Sequence, residues 1–470
     1  MMIQKLSIEG FRGFGKKQTI TFSIPDGETP GRGLNVLVGG NNAGKTTVIE
    51  AIRAFNARDK SPTFSEGRRN EATGKSVSLE LTDEQGETIQ IHSRKYNDST
   101  TEKVPADFKR NYYVLQSRRH VPFEFSEGSY NRDEYIHYYQ KLPAQRSGGL
   151  EAFQTRLFRM TDHREEVDVL LKQVLGHALQ WGIEQRDSGQ YYIKYTYNGV
   201  SHSSEGVGDG IWSVFTICDA LYDAPDGTTV VIDEPELSLH PSLQKRLMAL
   251  LLEQSATKQI IICTHSAHFV SWEAITRGGG LIRMVKEGTN SMCYQITEDC
   301  AKQFGGLLRD LNNPHTLGLD ATEALFLEDN IILVEGQEDV LIYRRIAKEL
   351  GIDLRGEFFG WGAGGAPKMP LMLRLFRDLG YKHVTALFDG DKRDLAKEME
   401  EEYPQYHILV LKKDDVRDKP ACTKKEEGPT HQCYRPLKEG IADEKWRLKD
   451  DYMDYARQLL EELNATFPTE

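Results

Sequence analysis

What this sequence lacks narrows the field first. No apolar run reaches the roughly 18–20 residues that a membrane span requires. The opening, MMIQKLSIEGFRGFGKK, has no long apolar stretch of the kind a secretory signal carries. Cysteine is scarce, with six residues (Cys218, Cys263, Cys293, Cys300, Cys422 and Cys433) too scattered for a disulfide framework. Cys218 and Cys263 lie in apolar surroundings typical of reduced core thiols. Internal repeats, low-complexity tracts and long heptad arms are absent. Basic charge is in deficit: 59 Lys and Arg against 71 Asp and Glu give a net charge of -12. That balance argues against coating nucleic acid through bulk charge. It leaves room for an enzyme that grips a phosphate backbone through a local patch or bound metal ions. Secreted, membrane and disordered classes are excluded, and a soluble cytoplasmic protein with no membrane partner is expected.

What is present is ordinary globular material. The 470 residues are 39% hydrophobic and 28% charged. At about 150 residues per domain, two to four domains are expected. Residues 2–8 alternate and read as a strand, and GLNVLV (33–38) is a short apolar run entering a glycine-rich turn. Val48, Ile49, Ile52 and Phe55 follow at helical spacing. Alternation in VSLELT and YYIKYTY predicts hairpin strands within 75–95 and 190–197, and 125–185 is richer in helical pattern. A strand at 229–232, a helix beginning near Pro241 and a strand at 258–263 close this region. A second βα series starts after LNNPH (311–315). It comprises a strand at 331–334, a helix over about 338–350, the glycine-rich stretch 360–367, a helix over 368–379 and a strand at 383–388. The expected division is an α/β domain over 1–315, with a partly helical insertion near 125–185 as a candidate for dimerisation. A second α/β domain over 325–420 and a charged C-terminal region over 421–470 follow.

The sharpest local signal is Gly39-Gly40-Asn41-Asn42-Ala43-Gly44-Lys45-Thr46, which fits G-x-x-x-x-G-K-[ST]. Glycines let the loop bend so that backbone N–H groups meet phosphate oxygens, and the following helix adds its positive end. Lys45 is expected to reach the β- and γ-phosphates of ATP, and the Thr46 hydroxyl to ligate Mg²⁺. Thr47 continues the cradle. Downstream, the apolar strand Thr229-Val230-Val231-Ile232 ends in Asp233 and Glu234. Asp233 suits a Mg²⁺ contact, and Glu234 suits orienting or deprotonating the attacking water.

Asp233-Glu234-Pro235-Glu236, Ser238-Leu239-His240-Pro241 and Thr264-His265-Ser266 together resemble the Walker B, D-loop and switch-histidine segments of ABC-type ATPase heads. The opening IQKLSIEGFRGF is similar to the first strand of SMC-like heads, although the missing heptad arms set the chain apart from true SMC proteins. The resemblance implies that His265 senses the γ-phosphate. It also implies a serine-glycine signature acting on a partner's ATP. Ser203-Ser204-Glu205-Gly206-Val207-Gly208 stands where that signature belongs, but departs from its commonest form, LSGGQ. Ser204 and Gly206 are its candidate residues, against a plain glycine turn. Gln116 is the candidate Q-loop glutamine, against a strand-end glutamine. Arg118 and Arg119 either meet phosphate or sit on a solvated edge. A signature acting in trans implies a homodimer or higher even oligomer with ATP between heads.

A second constellation follows. The strand 331–334 delivers Glu335 to its C-terminal end, with Gly336 allowing the turn into a helix that opens with Glu338 and Asp339. About fifty residues on, HVTALF delivers Asp389-Gly390-Asp391. Residues two apart at a strand end point the same way, so Asp389 and Asp391 are expected to converge with Glu335. Such carboxylates form a hard oxygen site for Mg²⁺, or Mn²⁺. Glu338 and Asp339 either add ligands for a second metal or only favour the helix N-terminus. GWGAGGAPK (360–368) reads equally as a phosphate-approaching loop or a connector. Lys412 and Lys413 read as a solvated pair, against a pair flanking the catalytic edge. Cys422, His431 and Cys433 lack a fourth ligand and C-x-x-C spacing, which argues against zinc.

Strand-Glu-Gly followed by strand-Asp-x-Asp resembles the Toprim domain. An ABC-type head followed by Toprim resembles the overcoming-lysogenization-defect (OLD) family of nucleases. The resemblance covers roughly 1–60, 200–270 and 330–415. It implies an ATP-dependent, divalent-metal-dependent DNA endonuclease, with a role in defence against phage. The alternative is a regulatory ATPase scaffold that holds or releases a separate effector protein, its Toprim domain being non-catalytic.

Overall fold

The computed structural model describes residues 1–56, 62–106, 112–117, 126–140, 153–197, 199–203, 208–308, 319–326, 329–421 and 436–468. The chain divides into two compact units, Met1–Lys302 and Gln303–Glu470.

The first unit is built on two sheets. One is antiparallel, ordered Gln18–Thr21, Ile3–Glu9, Ser78–Asp83, Thr88–Ser93 and Thr101–Val104. Its strands alternate buried and solvated residues, as in Ser78–Asp83, because only one face meets the core. The other runs Asn290–Gln295, Gly280–Glu287, Leu34–Gly39, Gln259–Cys263, Thr229–Asp233 and Tyr113–Leu115. Its central strands Leu34–Gly39, Gln259–Cys263 and Thr229–Asp233 are buried throughout. That is why their sequences read as unbroken apolar runs: a parallel sheet is covered on both faces. One apolar core joins Leu6, Leu79 and Ile89 of the antiparallel sheet, Val48, Ile49 and Ile52 of the helix Lys45–Ala54, and Val114, Val231 and Ile261 of the parallel sheet.

The register fixes what meets at the carboxyl edge of that sheet. Asp233 lies opposite Cys263, and Cys263 opposite Leu37. The glycine loop after Gly39, the acidic pair after Ile232 and the Thr264-His265 turn therefore emerge side by side.

Within the predicted helical insertion stand the helices Arg132–Tyr139, Gln154–Asp162 and Arg164–Leu175. Asn131 and Glu134 close a capping box on the first. Arg156, buried to 1% exposure, pairs at 3.0 Å with Asp219, also 1% exposed, and reaches Asp223 at 2.8 Å. The Tyr113 hydroxyl donates to the same Asp219 at 3.0 Å. This network ties the insertion to the edge strand of the parallel sheet. A three-stranded antiparallel sheet, Val200–Ser203, Tyr191–Tyr197 and Gln180–Gln185, completes the unit.

The second unit centres on an all-parallel sheet in the order Glu357–Phe358, Asn330–Val334, His383–Phe388, His407–Val410. The helix Gln337–Leu350 turns Val340, Tyr343, Ala347 and Leu350 into the core, an apolar stripe at three- and four-residue steps. The sequence shows the C-terminal stretch only as charged. It contains the strand Gly440–Ala442, paired with Asp415–Arg417, and the helix Met453–Ala465. Leu459, Leu460 and Leu463 of that helix join Ile332 and Val334 in one core. No helix among the described residues is long and apolar enough to cross a membrane.

Candidate functional site

The first site lies at the carboxyl edge of the six-stranded sheet. Gly39 ends its strand with φ 143°, where a Cβ would come within 2.2 Å of the Met284 carbonyl, so glycine is required there. The loop then runs into the helix Lys45–Ala54, whose first turn leaves backbone N–H groups free of intrahelical partners. A cavity of about 280 Å³ opens over it, lined by Asn41, Asn42, Gly44, Lys45, Thr46 and Thr47 from the loop, and by Glu234 and His265 from neighbouring strand ends. Ala43 points into the core instead. Asp233 is buried behind Glu234.

Lys45 is folded back onto its own loop, donating to the carbonyls of Gly39 at 2.7 Å and Gly40 at 3.0 Å. Burial lowers its pKa, and the charges of Cys263, Asp233 and Glu234 oppose that shift. An incoming phosphate offers the ammonium better acceptors than two peptide carbonyls. Glu234 occupies a left-handed conformation, φ 47°, with its N–H donated to the Cys263 carbonyl at 2.8 Å. That aims its side chain over the loop, with Oε1 3.8 Å from His265 Nε2. Burial, then the nearby Lys45 charge, hold His265 below its ordinary pKa. The imidazole is therefore neutral at pH 7, able to donate from one nitrogen to a phosphate oxygen.

Four cavity residues escaped the sequence reading: Arg12, Gly13, Lys286 and Ser291. Arg12 sits within GFRGF and pairs with Glu50 of the loop helix at 2.9 Å. Lys286 and Ser291 flank a hairpin more than 240 residues downstream, and nothing local distinguishes them. Gln116 follows the edge strand, and its amide faces the Arg53 guanidinium rather than lining the cavity. Ser204, Gly206, Arg118 and Arg119 lie outside the described residues, as do Cys422, His431 and Cys433.

The second site lies at the carboxyl edge of the four-stranded sheet. Glu335 Oε1 accepts from the Asp389 backbone N–H at 3.0 Å, locking the two strand ends together. The glycine stretch closes behind them: Gly362, at φ 84°, approaches so near that a Cβ would lie 2.8 Å from Gly336. Gly365 donates to the Glu335 carbonyl at 2.7 Å. This packing accounts for the glycines as a close backbone approach.

Asp339, Asp389 and Asp415 bring carboxylate oxygens within 4.8 Å of one another, all three residues being buried. Asp339 also accepts from Gly336 N–H at 2.8 Å, so it both caps the helix and faces the cluster. Asp389 is 6% exposed. Burial, then repulsion from Asp339, Glu335 and Asp415, push it up to about 9. The same causes, led by burial, carry Asp339 to about 7. Burial also raises Glu335.

Asp391 does not join this group. Its carboxylate is held by Lys438 at 2.7 Å and Lys392 at 3.0 Å, and these bonds outweigh burial to keep its pKa low. The expected convergence presumes strand geometry through Asp391. The strand ends at Phe388 and a 3₁₀ turn, Gly390–Lys392, rotates Asp391 away. Asp415 takes the third place, delivered by the short strand Asp415–Arg417. Within KKDDVRDK it is one acid among several, and the sequence gives no sign of which one turns inward. Two lysines face it: Lys419 at 2.6 Å and Lys438 at 3.5 Å. Glu338 is drawn off by Arg417 at 2.7 Å. Lys413 pairs with Glu439 at 2.7 Å, and Lys412 lies over the Tyr455 ring at 4.7 Å.

The donor set fits a hard divalent cation. Buried like charges this close are tenable only when protonated or neutralised by a cation, and carboxylate oxygens suit Mg²⁺ and Mn²⁺.

Comparisons with known proteins find three family models that match parts of this chain. An AAA-domain family matches residues 5–173, and a second AAA-domain family, described for AbiEii toxin of Type IV TA systems, matches 198–271. The TOPRIM domain of overcoming-lysogenization-defect-like proteins matches 326–391. The chain is 30% identical over 156 residues to endonuclease GajA of Bacillus cereus (strain VD045), a match spanning 33% of this chain but 25% of that relative. Among solved structures, an SmcHead bound to the C-winged helix domain of ScpA is similar at TM-score 0.45 and 15% identity, covering 64% of this chain and all of that one. The SMC head domain from Thermotoga maritima gives 0.36 at 19% identity, over 63% of this chain and all of that one. At these TM-scores the fold rests on the strand order described above.

Proposed function

We propose that this chain, an ATPase–Toprim protein of the OLD type, is an ATP-dependent, divalent-metal-dependent DNA endonuclease. The observation that carries the reading is the buried Asp339–Asp389–Asp415 cluster beside Glu335, a donor set poised for a cation and costly without one. Mg²⁺ or Mn²⁺ there would polarise a scissile phosphate and lower the pKa of water. Asp389 and Asp415 would hold the ion, Glu335 would fix the Asp389 backbone, and Asp339 would complete the acidic wall. Lys419 and Lys438 would meet charge on the phosphate once released from Asp415 and Asp391.

In the other unit, Lys45 and the loop N–H groups would bind the β- and γ-phosphates of ATP. Thr46 and Asp233 would hold Mg²⁺, Glu234 would orient the attacking water, and His265 would contact the γ-phosphate. DNA would be the substrate. Head pairing into a homodimer or higher even oligomer, a cytoplasmic location and a part in anti-phage defence belong to the same reading.

The test is plasmid incubated with pure protein and Mg²⁺ or Mn²⁺, with and without ATP. Cleavage lost in EDTA and in Asp389→Ala supports the nuclease. If Asp389→Ala keeps full cellular protection while Lys45→Ala loses it, the Toprim is scaffold and a separate effector protein acts. Light scattering of Glu234→Gln with ATP reads the pairing, and a clean monomer at micromolar concentration removes it.

A further inference from the structure

The His265 turn is held in place by a residue that does not line the nucleotide cavity. Glu236 stands two residues beyond Glu234, in the turn between the strand Thr229–Asp233 and the helix Pro241–Gln254. Its Oε2 accepts from Thr264 Oγ1 at 2.8 Å, and its Oε1 accepts from the His265 backbone N–H at 2.6 Å. Thr264 Oγ1 in turn accepts from Ser266 N–H at 3.0 Å. Ser266 Oγ donates to Gln244 Oε1 at 2.7 Å. The imidazole is held only loosely by comparison, its Nε2 lying 3.8 Å from Glu234, beyond a hydrogen bond. The ring's place is therefore set by the backbone of 264–266, and that backbone is set by Glu236.

We propose that Glu236 is a positioning residue, which aims His265 at the nucleotide by bridging the Glu234 turn to the His265 turn. The inference rests on the ATPase reading of that cavity, to which it adds a residue acting through another. Burial raises the Glu236 carboxyl, and the donors from His265 and Thr264 oppose that rise. A half-buried carboxylate is thus kept where a neutral residue would desolvate more cheaply. The bridge needs two acceptor or donor atoms at fixed spacing, not a charge. A glutamine keeps the acceptor for His265 N–H, and its amide can donate to the Thr264 hydroxyl, which is able to accept. Alanine keeps neither contact.

The experiment compares Glu236→Ala, Glu236→Gln, His265→Ala and the Glu236→Ala/His265→Ala pair in full-length protein. For Glu236→Ala, kcat for ATP hydrolysis is expected to fall about tenfold to a hundredfold, as misplacement of a reacting group costs. KM should stay within about threefold, because the phosphate cradle is untouched. Glu236→Gln should retain at least about half the wild-type rate. The double variant should be no slower than His265→Ala alone, since the first change acts only through the second. A readout independent of turnover is the ¹³C-histidine spectrum, in which the His265 signal is identified by its loss in His265→Asn. That signal should move in Glu236→Ala and stay in Glu236→Gln.

An unmoved His265 signal in Glu236→Ala overturns the proposal. So does a Glu236→Gln protein as slow as Glu236→Ala, or a double variant slower than His265→Ala by the full Glu236→Ala factor. If wild type shows no Lys45-dependent hydrolysis, the ATPase reading fails instead, and the His265 signal still decides the positioning role. Should Glu236→Ala not fold, Thr264→Val removes one of the two contacts and is read the same way. No change in either assay then overturns the bridge.

Discussion

Two sheet edges in this chain follow the same architectural rule and arrive at opposite electrostatics. In both sheets the carboxyl ends of neighbouring parallel strands collect functional side chains, at Gly39, Asp233 and Cys263 in one and at Val334 and Phe388 in the other. At the first edge the acids have a resident cation: Lys45 lies inside the loop, its charge favoured by Asp233 and Glu234. That ammonium beneath the loop suits an anion. At the second edge, burial and then the repulsion of three other acids carry Asp389 to about 9, and Lys419 offsets only part of that rise. The balance of charge there is negative and suits a cation. One edge is prebuilt for phosphate and the other for metal, and the sign of the uncompensated charge separates two sites that sequence patterns treat alike.

The strongest way to break this comparison is to remove one charge from each edge. Lys45→Ala takes away the ammonium that phosphate would exchange for the Gly39 and Gly40 carbonyls. ATP hydrolysis should fall by about a hundredfold or more, the scale for losing a transition-state charge contact. Asp389→Ala should leave hydrolysis within about twofold, while abolishing metal-dependent cleavage of plasmid. A malachite-green phosphate assay and a nicking gel on the same preparations check both. If Asp389→Ala also stops hydrolysis, the two edges are not separable.

How far the sequence announced this depends on how local each feature is. The phosphate loop, Asp233-Glu234 and His265 are readable because each lies on or beside an apolar strand of a buried sheet, and periodicity marks such strands well. Glu335 and Asp389 share that advantage. Asp391 misled for a definable reason: alternation along a strand says nothing once the chain enters a 3₁₀ turn. Asp415 was hidden because a three-residue strand in a charged segment carries no period. The helix Met453–Ala465 carries its apolar stripe (Ala456, Leu459, Leu460, Leu463) within a charged stretch, and only its packing against Ile332 and Val334 gives it a place. Arg12 and the hairpin pair Lys286 and Ser291 reach one cavity from two distant parts of the chain, brought together by the register between Leu34–Gly39 and Gly280–Glu287 and by the bond from Ser291 N–H to the Gly13 carbonyl.

A second, smaller effect concerns stability. Asp389 has a folded pKa of about 9 against an ordinary 3.8, so the folded protein holds a proton that the unfolded chain releases. Stability from this group is therefore greatest below about pH 4 and falls as pH rises toward 9. Asp389→Asn mimics the protonated acid and removes the penalty. Without metal, the second unit of Asp389→Asn should melt a few degrees above wild type at pH 8, roughly what 1 kcal/mol gives a domain of this size. Mn²⁺ should raise the wild-type melting temperature more at pH 8 than at pH 6, and should leave Asp389→Asn nearly unmoved. Differential scanning calorimetry with and without Mn²⁺ measures both. A metal-free Asp389→Asn protein less stable than wild type would mean the acid is satisfied by some partner other than a cation.

The smallest effect sharpens the comparison at its closest point of similarity, a lysine beside an acid at each edge. Lys45 lies under the loop and has nowhere else to go, being 6% exposed. Lys419 instead reaches Asp415 from a partly solvated position, at 2.6 Å, with a second contact to Glu338 at 3.4 Å. It can leave Asp415 for Glu338 or water when a divalent ion arrives, so it acts as a stand-in cation that competes with metal. Replacing it by methionine keeps the stem and removes the charge. Mn²⁺ affinity, measured by isothermal titration calorimetry, should then tighten by about threefold to tenfold, the equivalent of up to one pKa unit of charge interaction. The difference should shrink between about 50 mM and 500 mM salt, because the competing ammonium is partly solvated and so partly screened. If Lys419→Met instead weakens Mn²⁺ binding, Lys419 orders Asp415 for the ion rather than competing with it. The second edge would then resemble the first, with its lysine a fixed part of the site.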